Sequence, residues 1–155
     1  MAGTHTDITA RKLAEAALQV AEQKYRALFE HLNDAIFIAE IESGTLIDMN
    51  EQALKLMGYS RTELLGQHHT QLHPPAKQEE YRSLFKRHAE GSADSVLEID
   101  IIRKNGSIVP TLVKAGVLTI AGKRCLVGIF HDITLRKRLE IALKQERDLI
   151  AAILE

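Results

Sequence analysis

The segment DITARKLAEAAL at residues 7 to 18 reappears as DITLRKRLEIAL at residues 132 to 143. An internal repeat with a period of about 125 residues is too long for a stacked pair of helices and is the size of one small domain. The match continues more weakly, with Tyr25, Leu28, Phe29 and Glu30 answering Ile150, Ile153, Leu154 and Glu155. This pattern predicts one module framed by two like helices and cut from a tandem array.

Within the first helix Ala14, Leu18, Ala21, Tyr25 and Leu28 follow a four-three spacing, the seam of a coiled coil. The repeat carries that seam to Leu139, Leu143, Glu146, Ile150 and Ile153, with one polar interruption. Asp7 and Asp132 are suitable N-cap residues, and Thr9 and Thr134 stand close behind them. Each helix could fold back on its own domain as an amphipathic element, or both could connect modules and pair in a parallel homodimer. The repeat favours the second arrangement, because a helix used alike on both sides of a module serves as a spacer that carries orientation.

Bulk properties narrow the function classes. A chain of 155 residues suits one domain with helical extensions. A net charge of −1 supplies no basic face for nucleic acid. The single Cys125 cannot form an internal disulfide, which fits a reducing compartment. No apolar run approaches the roughly 20 residues of a membrane span, and the N-terminus lacks a signal-peptide layout. The expectation is a cytoplasmic module with no membrane segment in this stretch.

Between the helices the pattern changes from strand to helix and back. AIFIAEI (35 to 41) and TLIDMN (45 to 50) read as strands around a Glu42-Ser43-Gly44 turn. Asn50 caps a short helix from Glu51 to Met57 that stops at Gly58, and Ser60 with Glu63 forms a capping box. After His73, Pro74 and Pro75 a longer helix is expected from about Ala76 to Glu90. SVLEIDIIR, IVPTLVKAGVL and RCLVGIFHDI then make a three-stranded meander, with two-residue turns expected at Asn105-Gly106 and Ala121-Gly122. The sum is an α+β domain, a five-stranded antiparallel sheet with short helices on one face, flanked by N- and C-terminal amphipathic helices.

Six segments in this order resemble the PAS sensory domain: YRALFEHLNDAIFI, Asn50 at the first core helix, LMGYSRTELLGQ, LHPP, RKNGSIVP and HDITLRK. The resemblance covers residues 25 to 134. It makes 1 to 24 a linker helix from a preceding repeat and 135 to 155 a coiled-coil linker. It implies a sensor or dimerisation module in a bacterial-type signalling protein, such as a two-component system, with neighbouring PAS domains and an output domain of the histidine kinase or diguanylate cyclase type. Neither a phosphoacceptor helix nor a GGDEF segment occurs here, so the fragment itself is expected to have no catalytic activity.

The resemblance also implies a ligand space between the longer helix and the inner sheet face. Period-two alternation points Leu97, Ile99 and Ile101 inward from the third strand, Thr111, Val113 and Ala115 from the fourth, and Leu126, Gly128 and Phe130 from the fifth. Leu84 and His88 would close the space from the helix, and the small Ala115 and Gly128 would leave room for a guest. The alternative is that Phe37, Leu84, Phe85 and Phe130 fill the space and the module is a ligand-free dimerisation spacer. Thr111, the one polar side chain of the strand set, is more often a satisfied core hydroxyl than a ligand contact.

The cofactor is left open. Flavin-binding relatives use a cysteine in a GxNCRFLQ segment where this chain has GQHHTQL, and haem-binding relatives place a histidine where it has Glu80 and Tyr81. Flavin photochemistry through a cysteine and haem are therefore disfavoured. His68, His69 and His73 lack the carboxylate or cysteine partners of a metal site, and no metal is expected. His131 beside Asp132 has no nucleophile to serve and reads as a strand-end histidine. Signal transmission is expected through Asp132, Ile133, Thr134 and Arg136, where the last strand runs directly into the outgoing helix.

Overall fold

No proline precedes Pro74, and the N-terminal unit of the chain is a single long helix, α1 (Ala2–His31). The computed structural model describes residues 2–92 and 96–154 and divides the chain into a first unit ending at Asn33 and a second beginning at Asp34. Along α1, Leu18, Tyr25 and Leu28 of the expected seam are exposed, and the Tyr25 ring stacks on Phe29 at 5.4 Å. The expected strand start at Ser95 and the end of the repeat at Glu155 lie outside the described residues.

The second unit is built on one antiparallel sheet. Its strands are β1 (Ala35–Glu40), β2 (Leu46–Met49), β3 (Leu97–Ile102), β4 (Ile108–Ile120) and β5 (Lys123–Asp132), in spatial order β2-β1-β5-β4-β3. The closing strand β5 thus inserts between β1 and β4, with Phe37 opposite Gly128 and Ala115 opposite Gly128 on the other side. Between β2 and β3 lie α2 (Glu51–Met57), α3 (Arg61–Leu64), two 3-10 turns (His69–Leu72 and Pro75–Lys77) and α4 (Gln78–Ala89).

Local chemistry sets most of these boundaries. The Asn50 carboxamide oxygen accepts from Ala53 N at 3.0 Å and caps α2, while Gly58 closes it in the left-handed region at φ +77°. Ser60 and Glu63 make the expected capping box at α3. Consecutive prolines leave no amide donor for an α-turn, so the chain first winds a 3-10 turn at Pro75 and α4 starts at Gln78, not at Ala76. The Asn105-Gly106 turn is also longer than expected. Gly106 N donates to Arg103 O, Arg103 N donates to Ser107 O, and Gly106 takes the positive φ, leaving three residues in the loop. At Ala121-Gly122 both residues have positive φ, as a two-residue type I′ hairpin requires.

The inner sheet face packs against α2 and α4 through Phe37, Met49, Ala53, Met57, Leu72, Tyr81, Leu84, Ile99, Ile101, Val109, Val113 and Phe130. Fully buried Asn50 fastens this core. Besides capping α2, its Oδ1 accepts from Ile36 N at 2.9 Å and its Nδ2 donates to Asp34 O at 3.0 Å. Both rims of the sheet are engaged by the chain itself. On the β2 side, Leu46 exchanges backbone bonds with Gln67 and Gly66. On the β3 side, Asp100 N donates to Tyr81 Oη at 3.0 Å and Asp100 O accepts from His73 Nδ1 at 2.8 Å.

From Asp132 the chain passes into α5 (Thr134–Leu154), none of whose residues is buried. Its seam residues Leu139, Leu143, Ile150 and Ile153 are all exposed.

Candidate functional site

A cavity of about 60 Å³ lies between α4 and the inner sheet face. Its helical wall is Tyr81, Leu84, Phe85 and His88. Its sheet wall is Phe37, Ala39, Leu46, Ile99, Val113, Ala115, Leu126, Gly128 and Phe130, and His69, Leu72 and His73 come from the connecting loop. Strand alternation and the four-residue helical repeat account for the first two walls.

Of the ten residues expected around a ligand, Leu84, His88, Ile99, Val113, Ala115, Leu126, Gly128 and Phe130 stand on this wall. Leu97 packs against the core off the wall, and Thr111, fully buried, donates its hydroxyl to Ile99 O at 2.5 Å. The space above Gly128 is partly taken. A Cβ there would sit 2.8 Å from Cε1 of Phe130, whose ring folds over the glycine and meets Phe37 edge-on at 5.2 Å.

Sequence reasoning passed over His69, His73 and Tyr81 as wall residues. His69 lies flat on Phe85, and burial pushes its pKa down to about 3, with the charges of His68, His73 and Arg82 acting in the same direction. His73 is pushed to about 4 by burial, against the opposing effect of its bond to the Asp100 carbonyl. Its ring meets Tyr81 edge-on at 4.6 Å. Both imidazoles are therefore neutral near pH 7. A carbonyl can only accept, so His73 carries its proton on Nδ1.

The three loop histidines have separate tasks. His68 Nδ1 faces the Thr70 hydroxyl at 2.8 Å, His69 faces Phe85 and His73 faces Asp100. Among the described residues no group of three or more His, Cys, Asp or Glu side chains converges as metal ligands would. His131 pairs with Asp34 at 2.7 Å and not with its neighbour Asp132. Cys125 is fully buried, its thiol 3.6 Å from Lys123 O.

At the junction, Asp132 Oδ1 accepts from Thr134 N at 2.8 Å and from its hydroxyl at 2.5 Å. Ile133 is buried and donates its amide to Pro110 O at 3.0 Å. Arg136 does not hold this junction, because its guanidinium turns along α5 to Glu140 at 3.1 Å. The side chain that reaches back to the sheet is Lys137, paired with Glu98 of β3 at 2.6 Å. Arg103 approaches Asp132 at 3.9 Å.

Comparison with known proteins places this geometry. A family model described as a PAS domain matches residues 33–135. The chain is 30% identical over 130 residues to the methyl sulfide methyltransferase-associated sensor of Methanosarcina acetivorans, covering 83% of this chain and 13% of that protein. It is 24% identical over 149 residues to the sensor protein FixL of Bradyrhizobium diazoefficiens, covering 94% of this chain and 29% of that one. It thus spans less than a third of the length of either relative. The fold superposes on the crystal structure of a PAS domain from an HTR-like protein of Haloarcula marismortui with a TM-score of 0.66 at 22% identity, covering 79% of this chain and 99% of that one. Among the described residues no helix is long and apolar enough to cross a membrane.

Proposed function

This chain belongs to the PAS domain family, and from that premise we propose that it is a non-catalytic sensory module of a larger signalling protein. In this reading residues 25–134 are the sensing body, 1–24 the tail of a preceding copy and 135–155 a coiled-coil connector. A small ligand in the cavity strains β5. Helix α5 then passes the strain, as a rotation or shift, to a neighbouring PAS domain or to an output domain of the histidine kinase or diguanylate cyclase type. The module works in the cytoplasm as a homodimer joined through its flanking helices.

The observation that carries this reading is the double use of β5. Leu126, Gly128 and Phe130 wall the cavity, and two residues beyond Phe130 the same strand ends in Asp132, which holds the first turn of α5. No flexible linker separates the two, so displacement of the wall strains the junction directly. The exposed seams of α1 and α5 support the dimer, since apolar heptad faces of this length are stable when paired.

A second reading, a ligand-free dimerisation spacer, is favoured by the smallness of the cavity and by the aromatic side chains that crowd it. A native mass spectrum of the chain separates the two. A dimer with added mass on each subunit supports the sensor, a dimer of bare subunits supports the spacer, and a monomer overturns pairing through the helices.

A further inference from the structure

We infer that the guest of this cavity is a small uncharged molecule bearing one N–H or O–H donor, and that Nε2 of His88 receives it. The inference rests on the reading of the cavity as a ligand site. It narrows the chemistry of the guest to a class.

The first support is an accounting of the polar atoms on the wall. His73 Nδ1 and the Tyr81 hydroxyl oxygen are engaged by the backbone of Asp100, and the ring of His69 is stacked on Phe85. His88 is different. Its Nδ1 faces the Leu84 carbonyl one turn earlier on α4 at 3.1 Å, and since a carbonyl can only accept, Nδ1 holds the proton. In the neutral ring that leaves a lone pair on Nε2, which is shielded from solvent and finds no partner among the described residues. A buried acceptor without a donor is costly, and a guest that supplies the donor removes that cost.

The second support is charge. Among the described residues no Lys, Arg, Asp or Glu lies on the cavity wall, and the ring of His73 is neutral near pH 7. An ionised guest would leave water for an apolar space without a counter-charge, which is strongly unfavourable. The third is size. A volume of about 60 Å³ admits a compact molecule on the scale of a five-membered ring and not an extended cofactor. Apart from the His69 and His73 rings and the Tyr81 hydroxyl, the rest of the wall is apolar.

Pyrrole and furan test this directly, because they are rings of nearly equal size and only pyrrole carries an N–H. Each is titrated into the chain while the methyl resonances of Leu84, Val113 and Leu126 are followed by NMR. The expected result is saturable binding of both, with pyrrole tighter by about five- to tenfold, the worth of one hydrogen bond. Acetate at the same concentrations should leave the methyls unmoved. His88→Leu should bring pyrrole and furan to equal affinity, while His88→Gln, which keeps an acceptor, should retain part of the preference. Equal binding of pyrrole and furan to the unaltered chain would overturn the donor requirement and leave the cavity as a ligand site. Acetate binding as tightly as pyrrole would overturn the uncharged class. Failure of both rings to shift any wall methyl would overturn the cavity reading and this inference with it.

Discussion

The ring of His69 lies on that of Phe85 with centroids 3.9 Å apart and planes 11° from parallel, and both side chains line the inner cavity and a larger groove outside it. The pair is a partition between the two spaces. The outer groove is charged, with Arg82, Lys86 and Arg124 alongside Glu42, Glu79 and Glu90, whereas the inner wall carries none of these charges. Gly44 bears on the partition from the β1–β2 turn. Its carbonyl accepts from His69 N at 2.8 Å, and a Cβ at this position would collide with His68 Nε2.

Removing half of the partition should open the cavity to the groove. Phe85→Ala is expected to cost about 2–3 kcal/mol of stability, since the ring is only partly buried. It should also raise both association and dissociation rates of pyrrole at least severalfold. Urea denaturation reads the first effect and NMR lineshapes the second, and unchanged exchange rates would place the door elsewhere.

The buried imidazoles predict an acid-sensitive fold. His69 and His73 have pKa values of about 3 and about 4 in the folded chain, against an ordinary 6.5. Between these limits the unfolded chain binds more protons than the folded one. Stability is therefore full above about pH 6.5 and falls as the pH drops towards 4, by about 1.4 kcal/mol per pH unit for each histidine at the steepest part. Urea midpoints at pH 7, 6 and 5 check the slope, and His69→Phe should flatten it. A midpoint that rises on acidification would contradict the assignment.

Asp132→Ala removes both acceptor contacts to Thr134 and should lower stability by about 1 kcal/mol, the usual worth of a helix cap. In the full-length protein it should uncouple ligand occupancy from output and leave ligand affinity nearly intact, because Asp132 is not on the cavity wall. Output that still responds fully to ligand in this variant would refute transmission through the junction.

Ala121 holds φ +49° in the β4–β5 hairpin, the one non-glycine residue with positive φ among the described residues. Asparagine tolerates this region better and is favoured before glycine in such turns. Ala121→Asn should raise stability by about 0.5–1 kcal/mol with no effect on the cavity. A melting temperature that fails to rise would show that the hairpin bears no strain worth relieving.

Glu146 interrupts the seam of α5 where the corresponding residue of α1 is Ala21. In a parallel dimer the two Glu146 carboxylates would face one another across the seam, a cost in stability that polar seam residues commonly carry. Glu146→Leu should tighten the dimer by at least about tenfold in Kd. Sedimentation equilibrium measures this, and an unchanged association constant would argue against pairing along that face.

Much of this molecule could be read from short stretches of chain. The Asn50 cap, the Ser60–Glu63 box and the Ala121-Gly122 turn each depend on residues within about four positions, so their chemistry is local. Period-two alternation likewise placed Ile99, Val113, Ala115 and Phe130 on the inner face. The parts that escaped depend on distant partners. His73 and Tyr81 turn inward because Asp100 on the rim strand needs a donor and an acceptor, and nothing near either residue announces that bond. Leu97 and Thr111 have the correct parity but lie off the cavity wall, a matter of depth along the sheet that alternation cannot supply.

The closed rims of the sheet matter most when modules are strung together. Copies of one domain in a single chain meet at high local concentration, and an open strand edge would let one copy capture a strand of the next. Here Asp100 is fastened by Tyr81 and His73, and Leu46 by Gln67 and Gly66, so each rim has backbone groups already engaged. In the proposed array, neighbours would then stand shoulder to shoulder and remain separate folding units.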